Sequence, residues 1–396
     1  MKYDFETLID RSATGSAKWA EMRNMNRDLP EGVVPFSVAD MELKNAPQIM
    51  SGLREFFDEN KMSLGYTIHT RSYLDAVSGW MKRRHDWEAD MDWLVLSPGV
   101  VTALFCAVRA FTEPGEGVIN FSPVYYPFSS AVTRSGRTLV DVPLALNGDR
   151  YTIDWDRFET AAKNKSNKLL LLCSPHNPVG RVWTRGELSR ISDICLEYGV
   201  FVISDEIHND LVMPGYSHTI FASLSEDAAY NSLICTSPSK SFSLAGLQVS
   251  NNFVPDGERR AAIRDEMARN AMMTLNAVGY RACEIAYNEC GDWLDQAVSL
   301  IARNAGIVEE FMLANIPRVR VFTLEGTYLQ WWDCRRLFDD YKEMESFMRN
   351  KAYLFLDEGY IFGETGKGFE RINLACPTWV LQEALDRLLK ALDGLL

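Results

Sequence analysis

The sequence predicts an α/β fold, with a mostly parallel central sheet covered by helices and a smaller α+β domain beside it. Three observations lead there. Between about residues 90 and 255, short runs of apolar and β-branched residues alternate with helix-like patterns, as βα units around a buried parallel sheet do. After about residue 290 the pattern changes, and a long helical stretch leads into a second strand-rich region. The chain of 396 residues also exceeds what one ordinary core holds. The division expected is a large domain over 49–288 and a small one made from 1–48 together with 289–396.

The first 48 residues share no pattern with the sheet and are expected to pack with the C-terminal part. Leu94-Val95-Leu96-Ser97-Pro98-Gly99 leads into the apolar stretch Val101 to Phe111, read as a buried helix. Strands are expected at Val118–Phe121, Leu169–Cys173, Phe201–Ser204 and Leu233–Thr236. A helix through Asp193–Glu197 fits between two of them, opened near Thr184 with Glu187 three residues on as a capping box. The second strand-rich region covers Val319–Trp332 and Arg371–Leu374, where Trp331-Trp332 reads as packing.

Lys plus Arg total 41 and Asp plus Glu 54, so 41 − 54 gives −13, and no basic run interrupts the acidity. Such a chain repels phosphate backbones, so no nucleic-acid partner is expected. Eight cysteines lie scattered in apolar stretches, with no C-x-x-C pair and no His at ligand spacing. They read as reduced core residues, without a disulfide framework or metal. Met1 to Glu6 has neither a basic start nor an apolar run, which predicts no signal peptide. The least polar span, Val100 to Val108, is about half the ~20 residues that cross a bilayer. A soluble, cytoplasmic protein is expected.

Polar residues gather at three strand ends, where ligands bind in an open α/β sheet. They read Cys173-Ser174-Pro175-His176-Asn177-Pro178-Val179-Gly180, then Ser204-Asp205-Glu206-Ile207-His208-Asn209-Asp210, then Thr236-Ser237-Pro238-Ser239-Lys240-Ser241-Phe242-Ser243. Alone, each has an ordinary reading as a turn, a cap or a solvated charge. Together they set an amide, a carboxylate and a lysine, spaced by 28 and 35 residues, at neighbouring ends of one sheet.

With these motifs the chain resembles the fold-type I pyridoxal-phosphate enzymes of the class I/II aminotransferase superfamily. Within it the chain is most similar to the cystathionine β-lyase and C–S lyase branch, the MalY/PatB group. The resemblance also rests on Pro35-Phe36-Ser37-Val38-Ala39-Asp40-Met41, Leu64-Gly65-Tyr66-Thr67, Ser97-Pro98-Gly99-Val100-Val101 and Pro123-Val124-Tyr125-Tyr126-Pro127-Phe128. It continues through Ser243-Leu244-Ala245-Gly246-Leu247, Gly326-Thr327-Tyr328-Leu329 and Arg371-Ile372-Asn373-Leu374-Ala375-Cys376-Pro377. It implies the three-layer fold of pyridoxal-phosphate-dependent transferases.

The roles it implies follow from what the cofactor needs. Lys240 would form a Schiff base with pyridoxal 5'-phosphate and then act as base on the substrate Cα. Asp205 would keep the pyridine nitrogen protonated, and Asn177 would bond the ring's 3-oxygen and lie near substrate. Tyr125 is favoured to stack on the ring and Tyr126 to reach substrate, though the adjacent pair leaves the order open. The amides of Val100 and Val101, at a helix start, and the hydroxyls of Ser237 and Ser239 would hold the phosphate. Tyr66 would reach the phosphate of a neighbouring subunit, making the enzyme a homodimer with shared sites. Arg371 would grip the α-carboxylate of an amino-acid substrate, with backbone around Ala39 and Asp40 completing that end.

Two departures matter. Many aminotransferases have Tyr three residues after the cofactor Asp, where this chain has His208, expected beside the cofactor. Eight residues after Lys240, Gln248 stands where aminotransferases often carry a phosphate-binding Arg. The resulting expectation is a carbon–sulfur β-lyase that cleaves cystathionine or another S-substituted cysteine to a thiol, pyruvate and ammonia. An aminotransferase, or a non-catalytic regulator on the same fold, are the alternatives. His69, His85 and His218 show no acid partner along the chain and receive no role, and Glu325 is read as an exposed hairpin position or one near substrate.

Overall fold

The computed structural model describes residues 3–59, 64–272 and 274–393. Met1 and Lys2 of the opening stretch, and the last three residues of the expected small domain, lie outside them. The described strands are β1 (Leu94–Ser97), β2 (Gly117–Asn120), β3 (Thr138–Asp141), β4 (Ala145–Asn147), β5 (Arg150–Thr152), β6 (Asn167–Cys173), β7 (Phe201–Asp205), β8 (Ser232–Thr236), β9 (Ser250–Phe253), β10 (Arg320–Val321), β11 (Leu329–Asp333), β12 (Asp357–Glu358) and β13 (Phe369–Asn373).

Seven of them form the central sheet in the order β1-β9-β8-β7-β6-β2-β3. β2, β3, β6, β7 and β8 run parallel, while β9 is antiparallel to both its neighbours. β7 and β8 are buried at every residue, which explains their unbroken apolar runs. β9 escapes sequence reading because it is Ser250-Asn251-Asn252-Phe253 and still fully buried. Its polar groups are met inside the fold. Asn252 Nδ2 donates to Val95 O at 2.8 Å, Ser250 Oγ lies 2.9 Å from Ser97 Oγ, and Asn251 Oδ1 accepts from Tyr73 OH at 2.6 Å.

The expected strands lie within a residue or two of those observed, and Phe121 falls outside β2. The helix predicted from Val101 starts at Val100. The helix Arg185–Tyr198 opens with both bonds of the Thr184–Glu187 capping box and ends at Gly199 in the left-handed region, φ 72°.

A second, antiparallel sheet has the order β10-β11-β13-β12. Trp331 and Trp332 of β11 are fully buried, and Trp331 stacks on Phe369 with ring centroids 5.2 Å apart. The N-terminal segment runs along this sheet: Phe36 N donates to Phe355 O, Asn373 N to Phe36 O and Glu42 N to Ala375 O. It thereby lays residues 37–40 across the carboxyl ends of the central strands.

Candidate active site

A cavity of about 150 Å³ opens at those strand ends. Asn177, Asp205 and Lys240, from the three motifs, line it together with Tyr125, His208 and Ser239. Gly99, Val100 and Val101 close one side and Ala39 the other.

Lys240 rides on a four-residue helix, Pro238–Ser241, immediately beyond β8. Its Nζ donates to Ala39 O at 2.7 Å. Burial, ahead of the nearby charges, brings its pKa down to about 8. Asp205 ends β7 and accepts from Ile207 N at 3.1 Å. Burial pushes its pKa up to about 7, against the pull of Lys240. His208 is held well below the ordinary imidazole value, first by burial and then by Lys240 and Arg371, so its ring is neutral.

Asn177 sits in the turn after β6. That turn closes through His176 N to Arg181 O at 2.7 Å and Gly180 N to His176 O at 2.9 Å. Asn177 Oδ1 accepts from Arg371 Nη1 at 2.7 Å, which leaves Nδ2 as a donor for a ligand. Arg371 itself is buried in β13, opposite Asp357 of β12 in strand register, and pairs with that carboxylate. Its guanidinium also lies 4.6 Å from the centre of the Phe362 ring, while its buried Nε has no partner. A surface salt bridge is therefore the wrong description of Arg371.

The helix Val100–Phe111 points its N-terminus at the cavity. Its first amides lack intrahelical acceptors, and Gly99 before it adopts φ 87° with no atom within 4 Å of a Cβ built there. Such a helix start offers unpaired amide donors to an anion. The donor set suits pyridoxal 5'-phosphate: an amine, a buried carboxylate, an amide and a helix N-terminus face one cavity at the spacing of a single fold.

Not every expected residue joins the cavity wall, and Arg371 adjoins it through its bond to Asn177. Ser237 is the N-cap of the short helix, its hydroxyl accepting from Ser239 N at 3.0 Å and donating to Val249 O at 2.6 Å. Ser237 does not line the cavity. Tyr126 is half-exposed, its ring centroid 5.3 Å from that of Tyr125, and Tyr66 is fully exposed on this chain. Gln248 is exposed as well.

Three sequence readings need correction. Glu325 is buried, not an exposed hairpin position: it pairs with Arg150 at 2.9 Å and Arg181 at 3.1 Å and accepts from Val182 N. His85 does have an acid, Asp210, at 2.9 Å, and His218 has Glu206 at 2.8 Å. Separations of 125 to 175 residues hid all but the last of these.

Sequence reading also missed groups that hold the 37–40 segment. Asp357 accepts from Val38 N at 2.8 Å, and Asn373 Nδ2 donates to Val38 O and Asp40 O. These bonds keep Val38, a β-branched residue, at φ 58°. Lys18 Nζ adds a bond to Asp40 O at 2.6 Å. Only the positions of Asp357 and Asn373 beside the Arg371 strand offered a signal.

The two-sheet architecture and the strand-end crevice define the class: this is the three-layer fold of pyridoxal-phosphate-dependent transferases. The family described as aminotransferase class I and II matches residues 31–388, and the chain belongs to that family. It is 39% identical over 390 residues to the cystathionine β-lyase PatB of Bacillus subtilis (strain 168), covering 98% of this chain and all of that one. The crystal structure of cystalysin from Treponema denticola, which contains a pyridoxal 5'-phosphate cofactor, superposes with a TM-score of 0.97 at 48% identity over the whole of both chains. The pyridoxal-phosphate-bound C–S lyase of Staphylococcus hominis gives 0.90 at 28% identity, over 99% of this chain and 98% of that one.

Proposed function

We propose that the protein is a pyridoxal-phosphate-dependent carbon–sulfur β-lyase. It takes up cystathionine or another S-substituted cysteine with one water and yields a thiol, pyruvate and ammonia. The observation that carries this reading is the convergence of Lys240, Asp205 and Asn177 on one cavity, in a chain with full-length lyase relatives. When bound, the cofactor supplies an aldehyde that condenses with amines and a protonated ring that draws electrons from the substrate Cα.

The chain's own residues do the rest. Lys240, with a pKa brought near 8, carries its Nζ as a neutral amine in a useful fraction of molecules and takes the proton from Cα. Asp205 holds the proton on the ring nitrogen; an opposite charge there would draw its own pKa down from the value burial alone imposes. Asn177 donates to the ring oxygen through Nδ2. The amides of Val100 and Val101, with Ser239, hold the phosphate, and Tyr125 covers the ring face. Arg371 binds the α-carboxylate through its free Nε edge, held in place by Asp357 and Asn177. Tyr126, at the cavity's half-exposed edge, meets substrate.

We further infer a homodimer, in which Tyr66 serves the partner's site; its full exposure, with Leu64 and Ile68 beside it, supports an intersubunit role. Light scattering and the cofactor affinity of Tyr66→Phe test this, a monomer with unchanged affinity being the contrary result. Eight buried, unpaired thiols fit a reducing cytoplasm. No helix among the described residues is long and apolar enough to cross a membrane.

The deciding experiment is incubation with cystathionine, with and without an added keto acid. Pyruvate released without the keto acid is the expected result. Strict dependence on the keto acid would make the protein an aminotransferase.

A further inference from the structure

Behind Lys240, away from the cavity, lies a buried polar cluster that the reaction above does not use. The Asp210 side chain is 1% exposed. Its Oδ1 lies 2.9 Å from His85 Nε2 and 3.1 Å from Trp80 Nε1, and its Oδ2 accepts from the hydroxyl of Ser241 at 2.6 Å. Ser241 directly follows Lys240. A second pair sits beside Asp205: Glu206, fully buried, accepts from Ser204 Oγ and Phe221 N, both at 2.9 Å, and from His218 at 2.8 Å. The two imidazoles, His85 and His218, meet edge to face with centroids 5.8 Å apart.

Burying polar groups costs desolvation, which their hydrogen bonds only partly offset. The cluster's placement therefore calls for another role. Lys240 stands on a helix of four residues, too short to hold its own geometry, and Ser243 just after it sits at φ 54°. The cap at Ser237 fixes one end of that helix, and the bond from Ser241 to Asp210 fixes the other.

We propose that Asp210 and His85 are positioning residues that aim Lys240 by way of Ser241. The inference rests on the lyase reading, since it concerns the approach of Lys240 Nζ to the cofactor aldehyde. In that step the amine nitrogen bonds to the aldehyde carbon and the aldehyde oxygen leaves as water, with no net oxidation. Orientation of the attacking atom controls such a step, so a loosened helix slows it.

The test follows Schiff-base formation rather than turnover. The full-length chain, stripped of cofactor, is mixed with pyridoxal 5'-phosphate, and the rise of the yellow band is timed. Borohydride then traps the adduct, and peptide mass mapping locates it. Ser241→Ala and Asp210→Asn are compared with Tyr73→Phe, which deletes an equally buried hydrogen bond elsewhere. The expected result is a rate at least about tenfold lower for the first two and within about twofold of wild type for the third, all three losing a similar amount of thermal stability. If Asp210→Asn does not fold, Ser241→Ala decides alone. Rates within twofold of wild type in the folded variants overturn the positioning role, because a merely structural contact moves melting temperature and not rate. A wild type that traps nothing on Lys240 overturns the lyase reading and this inference together; trapping in wild type with unaffected variants overturns only the latter.

Discussion

The cavity has two walls built on opposite principles. On the central-sheet side, the half-buried Lys240 and the buried Asp205 have a single side-chain hydrogen-bond partner each, and both are pushed toward neutrality, to about 8 and about 7. On the side formed by the 37–40 segment and the second sheet, several charges are paired. Arg371 pairs with Asp357, Arg11 with Asp40 at 2.6 Å, and Lys18 with Glu42 at 2.7 Å. The difference teaches where the work is divided. Groups that must exchange a proton or form a bond are left short of partners in a desolvated place, which keeps their protonation states close in energy. Groups that must hold a ligand still are pinned by several contacts at once.

The sharpest way to break this comparison is at its reactive wall. Lys240→Ala should remove the yellow band and lower kcat by at least about 10³-fold, since it deletes both the covalent anchor and the Cα base. Absorption spectra and pyruvate release measure the two effects, and residual turnover within tenfold of wild type would place the chemistry elsewhere. The holding wall should respond differently. Arg371→Ala should keep the yellow band and lose about 100-fold in kcat/KM, chiefly through KM, on the order of 2.7 kcal/mol for a charge-assisted carboxylate contact. A spectrum lost along with the affinity would show that the walls are not separable.

How far the sequence displays these walls depends on how local each one is. The reactive wall is built from contiguous motifs at strand ends, so Asn177, Asp205 and Lys240 stand out in the sequence alone. The helix at Arg185–Tyr198 is legible for the same reason, its cap and its Glu187 lying three residues apart. The holding wall is assembled by register. Asp357 belongs to a two-residue strand and acquires meaning only opposite Arg371. β9 fails a hydrophobicity test because its polar side chains are satisfied by residues about 150 positions earlier. Glu325 reads as a surface acid until Arg150 and Arg181 arrive from an earlier part of the chain. His85 likewise gains its acid only when the chain folds. Local patterning reveals which chemistry a strand end offers, whereas the partners that tune it come from tertiary pairing.

The mildest expected effect tests the electrostatic half of the comparison. Lys240 attacks an aldehyde only as the neutral amine, so Schiff-base formation in the chain stripped of cofactor must speed up as pH rises through the lysine's pKa. Burial lowers that pKa from 10.5 to about 8. The neutral fraction then grows from about 0.09 at pH 7 to about 0.91 at pH 9, about a tenfold rise that levels off. A lysine with the ordinary value would give about a 100-fold rise over the same interval with no levelling. Asp205, raised to about 7, loses its proton at the lower edge of this window, and the negative charge it then carries favours the ammonium form of Lys240. That coupling moves the midpoint upward, against the lowering caused by burial. Stopped-flow rates of band formation across pH 7 to 9 measure the outcome. A plateau near pH 9 identifies desolvation as the dominant influence, and a rate still climbing tenfold per pH unit there would show that the reactive wall is no drier than the holding one.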